Sequence, residues 1–214
     1  MEKKLKITFE KCTKSFIEKE FGLKRLLNTA ELNDWLDVEN FNVTETERDV
    51  LKRSIKRAVY RINDWNEETL KLLFISVILN LVEYDSQYIG TFADEKLEAE
   101  FEKFVLTGKA DLLIAKGIFK PEVPYLFIHE YKKTRTESDP DGQLLAAIVT
   151  ARELNHSKQI LYGIVVTGSI WNFIIVQDDF YDISKNYNSM DIDGLEEILK
   201  ILKKTQVILS KRIE

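Results

Sequence analysis

The hydrophobic period of this chain changes once, near Gly90, and that change constrains the architecture more than any other feature. Before it, apolar residues recur at helical spacing: Leu51, Ile55, Ala58, Val59 and Ile62 in one segment, Leu70, Phe74, Val77 and Leu81 in the next. No proline precedes Pro121, so helix breakers are few in this half. The spacing predicts helices over Phe9–Glu20 with Gly22 as a stop, Asn28–Leu36 capped by Asn28 or Thr29, and about Glu67–Glu83. Thr44-Glu45-Thr46-Glu47 fits a capping box and opens another helix. After Gly90 strand signals take over. Leu97, Ala99 and Phe101 alternate with Glu98, Glu100 and Glu102, which predicts one strand over Leu97–Val105 followed by a Thr107-Gly108 turn. Ala110–Ala115 and Tyr125–Tyr131 read as short apolar strands, and Gly142–Leu154 as a helix. Ile160–Thr167 and Trp171–Val176 form a hairpin about Gly168-Ser169, and Gly194–Lys211 closes the chain as a helix. The expected fold is α/β: a mixed central sheet of about five strands flanked by helices. An N-terminal helical subdomain is expected over residues 1–64, and a core over 65–214.

Composition then removes several function classes. The 214 residues are 44% hydrophobic and 31% charged, enough apolar side chain to build a core. A single cysteine, Cys12, excludes an internal disulfide and a Cys-based zinc site. Two histidines, His129 and His156, leave no multi-His metal site and make a Ser-His-Asp hydrolase hard to assemble. Metal chemistry would fall to carboxylates, which favour hard cations such as Mg²⁺ or Mn²⁺. No long apolar run suggests a membrane span, and the start of the chain does not read as a signal peptide, so a cytoplasmic location is expected. The net charge of −5 argues mildly against a nucleic-acid partner.

Three polar residues at strand edges argue the other way. Asp111 starts the strand Leu112-Leu113-Ile114, and Glu130 and Lys132 end the strand Tyr125-Leu126-Phe127-Ile128-His129. Residues two apart on a strand share a face, so Glu130 and Lys132 project together, and His129 and Tyr131 project away. Sequential strands usually neighbour each other, which would bring Asp111 beside the pair. Two carboxylates suit a divalent cation that activates water and offsets charge at phosphorus, and a lysine beside them suits orienting or deprotonating that water. Individually each residue has a plainer reading: Asp111 as a turn residue near Gly108, and Glu130 with Lys132 as a surface ion pair.

The pattern Asp111 … Glu130-Tyr131-Lys132 resembles the signature of the PD-(D/E)XK, restriction-endonuclease-like nucleases, over about residues 66–177. Ala110 stands where the nominal motif has proline. Asn66-Glu67-Glu68-Thr69, opening the helix that runs to Leu79, is similar to the start of the nuclease module in Type I restriction enzymes. Gln143 is similar to a glutamine found after the catalytic lysine in several branches. The resemblance implies a restriction-endonuclease-like sheet and a Mg²⁺- or Mn²⁺-dependent nuclease acting on DNA. It implies Asp111, Glu130 and Glu67 as metal ligands, with Glu68 as the alternative to Glu67. Lys132 would serve the nucleophilic water and Gln143 would position water or backbone. The alternatives are a nuclease-fold protein that binds nucleic acid or a protein partner without cutting, and an interaction domain in which the motif is coincidental. Motor or recognition proteins are expected as partners, and a homodimer would suit double-strand cleavage.

Basic residues with the wrong sign for the net charge cluster in two places. Arg48, Lys52, Arg53, Lys56, Arg57 and Arg61 lie on the helix opened by Thr44, and Lys132, Lys133 and Arg135 follow the proposed site. Lys52, Lys56, Lys133 and Arg135 are the candidate phosphate contacts. A solvated helix face explains the first group equally well. Thr134–Asp141 reads as a loop over the site, and Trp171-Asn172-Phe173 as a core strand with stacking as the alternative.

Overall fold

Local signals dictate most helix boundaries. Thr13 caps α1 (Lys14–Phe21), which stops at Gly22 in a left-handed conformation (φ +68°). Thr29 caps α2 (Ala30–Leu36), and Thr44 with Glu47 closes a full capping box on α3 (Glu45–Ala58). Asn66 caps α4 (Glu67–Leu70), which runs through a π-helical turn, Lys71–Ile75, into α5 (Ser76–Leu79). Asp139 caps α6 (Pro140–Leu154) and Asp191 caps α7 (Ile192–Ser210). The computed structural model describes residues 4–133 and 139–213. Arg135 and most of the proposed Thr134–Asp141 loop lie outside the described residues, while Pro140 and Asp141 belong to the first turn of α6.

The described strands are β1 (Leu5–Thr8), β2 (Lys24–Arg25), β3 (Ile89–Glu100), β4 (Phe104–Lys116), β5 (Glu122–Lys132), β6 (Leu161–Thr167), β7 (Ile170–Gln177), β8 (Phe180–Ile183) and β9 (Tyr187–Asn188). They form one mixed sheet of nine strands rather than about five, in the order β1-β4-β5-β6-β7-β8-β2, with β3 on β4 and β9 on β7. The segment read from its pattern as helical supplies β1 and β2, which pair parallel to β4 and β8. The strand expected over Leu97–Val105 is instead a hairpin. Alternation continues on both sides of a tight turn at Phe101–Phe104, where the Phe101 N–H donates to the Phe104 carbonyl at 2.8 Å. Gly108 lies inside β4, not in a turn, and it is a glycine there because a Cβ would collide with the Phe9 ring. The first expected helix is replaced by a 3₁₀ turn, Phe9–Lys11, followed by α1. The α4–α5 helix ends at Leu79, short of Glu83.

Helices cover both faces of the sheet. Ile17 of α1 and the almost wholly buried α6 pack on Leu113, Ile128, Val165, Ile174 and Val176. Trp35 of α2, Leu51 of α3, Phe74, Ile78 and the apolar stripe of α7 pack on the other face against Phe127, Ile164, Trp171 and Phe173. Trp35 anchors that layer, with edge contacts to Phe127, Tyr162 and Phe173 and a hydrogen bond from its indole to Thr205 at 2.9 Å. Trp171 and Phe173 are fully buried core residues. Among the described residues no helix is long and apolar enough to cross a membrane.

Two features of the sheet prepare a site. β1 and β5 share one edge of β4. β1 runs parallel to β4 and leaves it at Thr8–Thr107, while β5 runs antiparallel and leaves it at His129–Leu112. Their C-terminal ends therefore point at each other across an unpaired stretch of β4. On the other edge, the ladder is interrupted between Ala93–Leu112 and Glu95–Ala110, where Asp94 adopts a left-handed φ of +55° opposite Asp111. The inward alternation slips there. Even-numbered Phe104, Leu106 and Ala110, then odd-numbered Leu113 and Ala115, all face the α6 core. Such irregularities re-aim a single side chain.

Candidate functional site

The gap between β1 and β5 opens a cleft of about 370 Å³, and Glu67, Asp111, Glu130, Lys132 and Gln143 all line it. Each arrives by a different route. Asp111 sits at the slip in β4. Its Oδ2 accepts the Tyr131 N–H at 2.7 Å, replacing the carbonyl that a continuing ladder would have offered. This bond fixes the carboxylate and leaves Oδ1 toward the cleft. Glu130 and Lys132 project from the end of β5, as their two-residue spacing predicts, and their side chains meet at 2.9 Å. His129 and Tyr131 point to the opposite face, where the imidazole Nδ1 and the phenol lie 2.6 Å apart in the core. Burial pulls the His129 pKa down to about 3, so the ring is neutral and takes no part in the cleft.

Gln143 comes from the layer on one face of the sheet and Glu67 from the layer on the other. Gln143 is held by the clamp at the start of α6. The Lys14 backbone N–H donates to Asp139 at 2.9 Å, the Lys14 ammonium pairs with Asp141 at 2.6 Å, and Gly142 packs directly on the backbone of residues 12–14. Glu67 opens α4. Its two oxygens lie 3.5 Å from Lys71 and 3.7 Å from Lys132.

Lys71 is the site residue that sequence reading missed. Its ammonium lies 2.8 Å from Asp111 Oδ1 and 2.9 Å from Glu68, as well as beside Glu67. Glu67 and Lys71 are four apart on a helix, a spacing that brings such pairs together, but only the tertiary fold shows that Asp111 completes the set. Glu68 lines the same cleft and is the more exposed of the two adjacent glutamates. Asp94, Lys109 and Glu10 complete the polar wall.

Electrostatics set the character of the cleft. Its lining carries six carboxylates, from Glu10, Glu67, Glu68, Asp94, Asp111 and Glu130, against the ammonium groups of Lys71, Lys109 and Lys132. Glu130 is almost fully buried, and burial, reinforced by the Asp111 charge, pushes its pKa up to about 7 despite Lys132. For Lys132 burial works against the charge, but Glu130 more than offsets it and holds the ammonium protonated. The same balance, through Asp111 and Glu68, keeps Lys71 charged. The oxygens able to meet a hard cation are those of Asp111, Glu130 and Glu67. Among the described residues, no three His, Cys, Asp or Glu groups are gathered closely enough to hold an ion as they stand, and lysine ammoniums are interleaved between the acids.

The basic helix is divided. Arg48 is tied to Glu196 of α7 at 2.7 Å and is structural. Lys52, Arg53, Lys56, Arg57 and Arg61 are exposed, as is Lys133 beside the site. The helix leads, through exposed Tyr60 and Arg61, into the turn that delivers Glu67. No protein-family model matches the chain, and no curated protein matches it.

Proposed function

We propose that this chain is a divalent-metal-dependent nuclease that hydrolyses phosphodiester bonds in DNA, with a restriction-endonuclease-like core. The observation that carries the reading is the convergence of Glu67, Asp111, Glu130, Lys132 and Gln143 on one cleft from four separate elements. Coincidence among common residue types does not predict such convergence. The donor chemistry fits Mg²⁺ or Mn²⁺: hard carboxylate oxygens, no thiol, no free imidazole, an excess of acids over lysines, and a Glu130 whose pKa burial, with the Asp111 charge, pushes up to about 7. Asp111, Glu130 and Glu67 would hold the ion, which when bound supplies Lewis-acid polarisation of the phosphate and a water of lowered pKa.

The chain's own residues then have distinct tasks. Asp111, fixed by the Tyr131 N–H, is the rigid ligand. Lys132, held protonated, acts as a cation rather than as a base, placed to offset charge that develops on the phosphate oxygens. Gln143, immobilised on a buried helix turn, offers an amide that can orient a water or a backbone oxygen. The exposed basic face of α3 gives a phosphate-binding surface continuous in sequence with the site, with Lys52 and Lys56 as contacts. Homodimerisation and a motor or recognition partner belong to the same proposal.

One observation favours a second reading, binding of nucleic acid or a protein partner without cleavage: Lys71 already pairs with Asp111, and Lys132 with Glu130. Cleavage of supercoiled plasmid with Mg²⁺ or Mn²⁺ separates the two. The nuclease predicts metal-dependent nicking or linearisation that Lys132→Ala abolishes. Salt-dependent DNA binding with no cleavage at any metal concentration selects the second reading, and equal activity in Lys132→Ala sinks the first.

A further inference from the structure

We infer that Lys71 is a built-in counter-cation of the cleft, which a divalent ion must displace, so that Lys71 sets how much metal the site needs. The inference rests on the metal-site reading above and goes beyond it by naming the residue that opposes the metal.

Three carboxylates converge on the Lys71 ammonium: Asp111 Oδ1 at 2.8 Å, Glu68 at 2.9 Å and Glu67 at 3.5 Å. Asp111 has one oxygen committed to the Tyr131 N–H, so the oxygen Lys71 holds is the same one an ion would take. That oxygen has a second lone pair, so geometry alone permits both partners. Charge does not. An ion at about 2.1 Å from Oδ1 and an ammonium still bonded to it would stand roughly 4 Å apart, with like charge, beside two side chains, Lys71 and Asp111, that are themselves largely covered.

The fold gives the lysine a way out. Lys71 begins the π-helical turn of the α4–α5 helix, the one place in that helix where the ladder is widened. Such turns redirect side chains and occur often at functional sites. Glu68, one turn earlier, already shares the ammonium and is mostly exposed (77% for its side chain). On releasing Asp111, Lys71 can stay with Glu68 at the mouth of the cleft. The two adjacent glutamates thereby separate in role: Glu67 stays with the ion, and Glu68 receives the displaced lysine.

The test compares Mn²⁺ binding to the full chain by titration calorimetry for wild type, Lys71→Met, Lys71→Gln and Asp111→Asn, each checked for native circular dichroism. The expected result is at least tenfold tighter Mn²⁺ binding by both Lys71 variants and loss of binding by Asp111→Asn. A variant that folds only when Mn²⁺ is added supports the same conclusion. Unchanged or weaker binding by the Lys71 variants, with Asp111→Asn still defective, overturns the inference and leaves the metal site standing. No binding to wild type or either Lys71 variant overturns both. A second measurement needs no variant: saturating Mn²⁺ should raise acetylation of Lys71 by an N-hydroxysuccinimide ester several-fold, read by peptide mass spectrometry. Labelling of Lys71 that does not change while Mn²⁺ binds also overturns the inference.

Discussion

Glu130 lets the electrostatics of the cleft be measured as stability without any assumption about catalysis. In metal-free protein its carboxyl titrates near 7, against an ordinary value of 4.5, because burial and Asp111 both oppose its charge. The folded state thus binds this proton more tightly than the unfolded chain. The stabilisation is complete below the unfolded value, near 4.5, and is lost as pH rises through about 7. At ~1.4 kcal/mol per pH unit, the interval between those values amounts to about 3 kcal/mol of destabilisation at pH 8. Glu130→Gln mimics the protonated carboxyl in size and shape and removes that cost. The variant should be about 3 kcal/mol more stable than wild type at pH 8 and within about 1 kcal/mol of it at pH 5. For a domain of this size the pH 8 gain corresponds to roughly 6–12 °C in Tm. Urea and thermal unfolding in EDTA across pH 5–8 would measure it. A gain of equal size at every pH, or a loss at pH 8, would refute the reasoning. Mn²⁺ at pH 8 should restore stability to wild type and do little for Glu130→Gln.

The other predictions address catalysis, DNA affinity and packing. Lys132→Ala should lower plasmid cleavage by about two to three orders of magnitude while DNA affinity, read by fluorescence anisotropy, changes only a few-fold. Lys52→Ala with Lys56→Ala should reduce the slope of log affinity against log salt by about 1–2, since each removed phosphate contact contributes about one; an unchanged slope would leave α3 as a solvated face. Gly142→Ala should destabilise by about 1–3 kcal/mol although alanine is the better helix former. Its Cβ would stand 2.7 Å from the Cys12 carbonyl oxygen, a backbone atom that cannot swing aside. Because Gln143 follows directly, the same variant should also lose cleavage activity beyond what its lost stability explains.

What could be read from sequence were features fixed by neighbours along the chain. The Thr44–Glu47 capping box, the Gly22 stop and the Gly168 hairpin depend on residues within a turn or two, and each is formed where the sequence puts it. The common face of Glu130 and Lys132 follows from the pleat alone, as does the exclusion of His129. Features set by distant partners were not legible. Leu5-Lys6-Ile7-Thr8 and Lys24-Arg25 carry no strand signal strong enough to declare themselves, and they are strands because β4 and β8 offer open edges. The Phe101–Phe104 turn was hidden because no glycine or proline marks it; its one trace is a change of parity, from odd-numbered Leu97, Ala99 and Phe101 to even-numbered Phe104 and Leu106. Lys71 looked like one more helix-surface lysine, since its role depends on a π turn and on a carboxylate forty residues away.

The same distinction explains why the motif alone is weak and the cleft is informative. A carboxylate at a strand end is common, and a continuous sheet would hold Asp111 and Glu130 apart from helices on its far side. Here the sheet is broken at one point along the edge of β4, between the ends of β1 and β5. Through that break Gln143, from the layer on one face, and Glu67 and Lys71, from the layer on the other, reach the same space as the strand residues. The break is itself stabilised locally: the Asp111 carboxylate accepts from the Tyr131 N–H in place of a ladder bond, and the Phe9 ring packs against Gly108. A net charge of −5 then becomes compatible with a polyanionic partner. Much of the acidity near the site is internal to the cleft and only partly offset there by Lys71, Lys109 and Lys132, while the exposed lysines and arginines of α3 lie on a separate surface. The affinity expected of that division is modest, salt-sensitive and increased by metal, because the ion removes the repulsion that the cleft would otherwise direct at a phosphate.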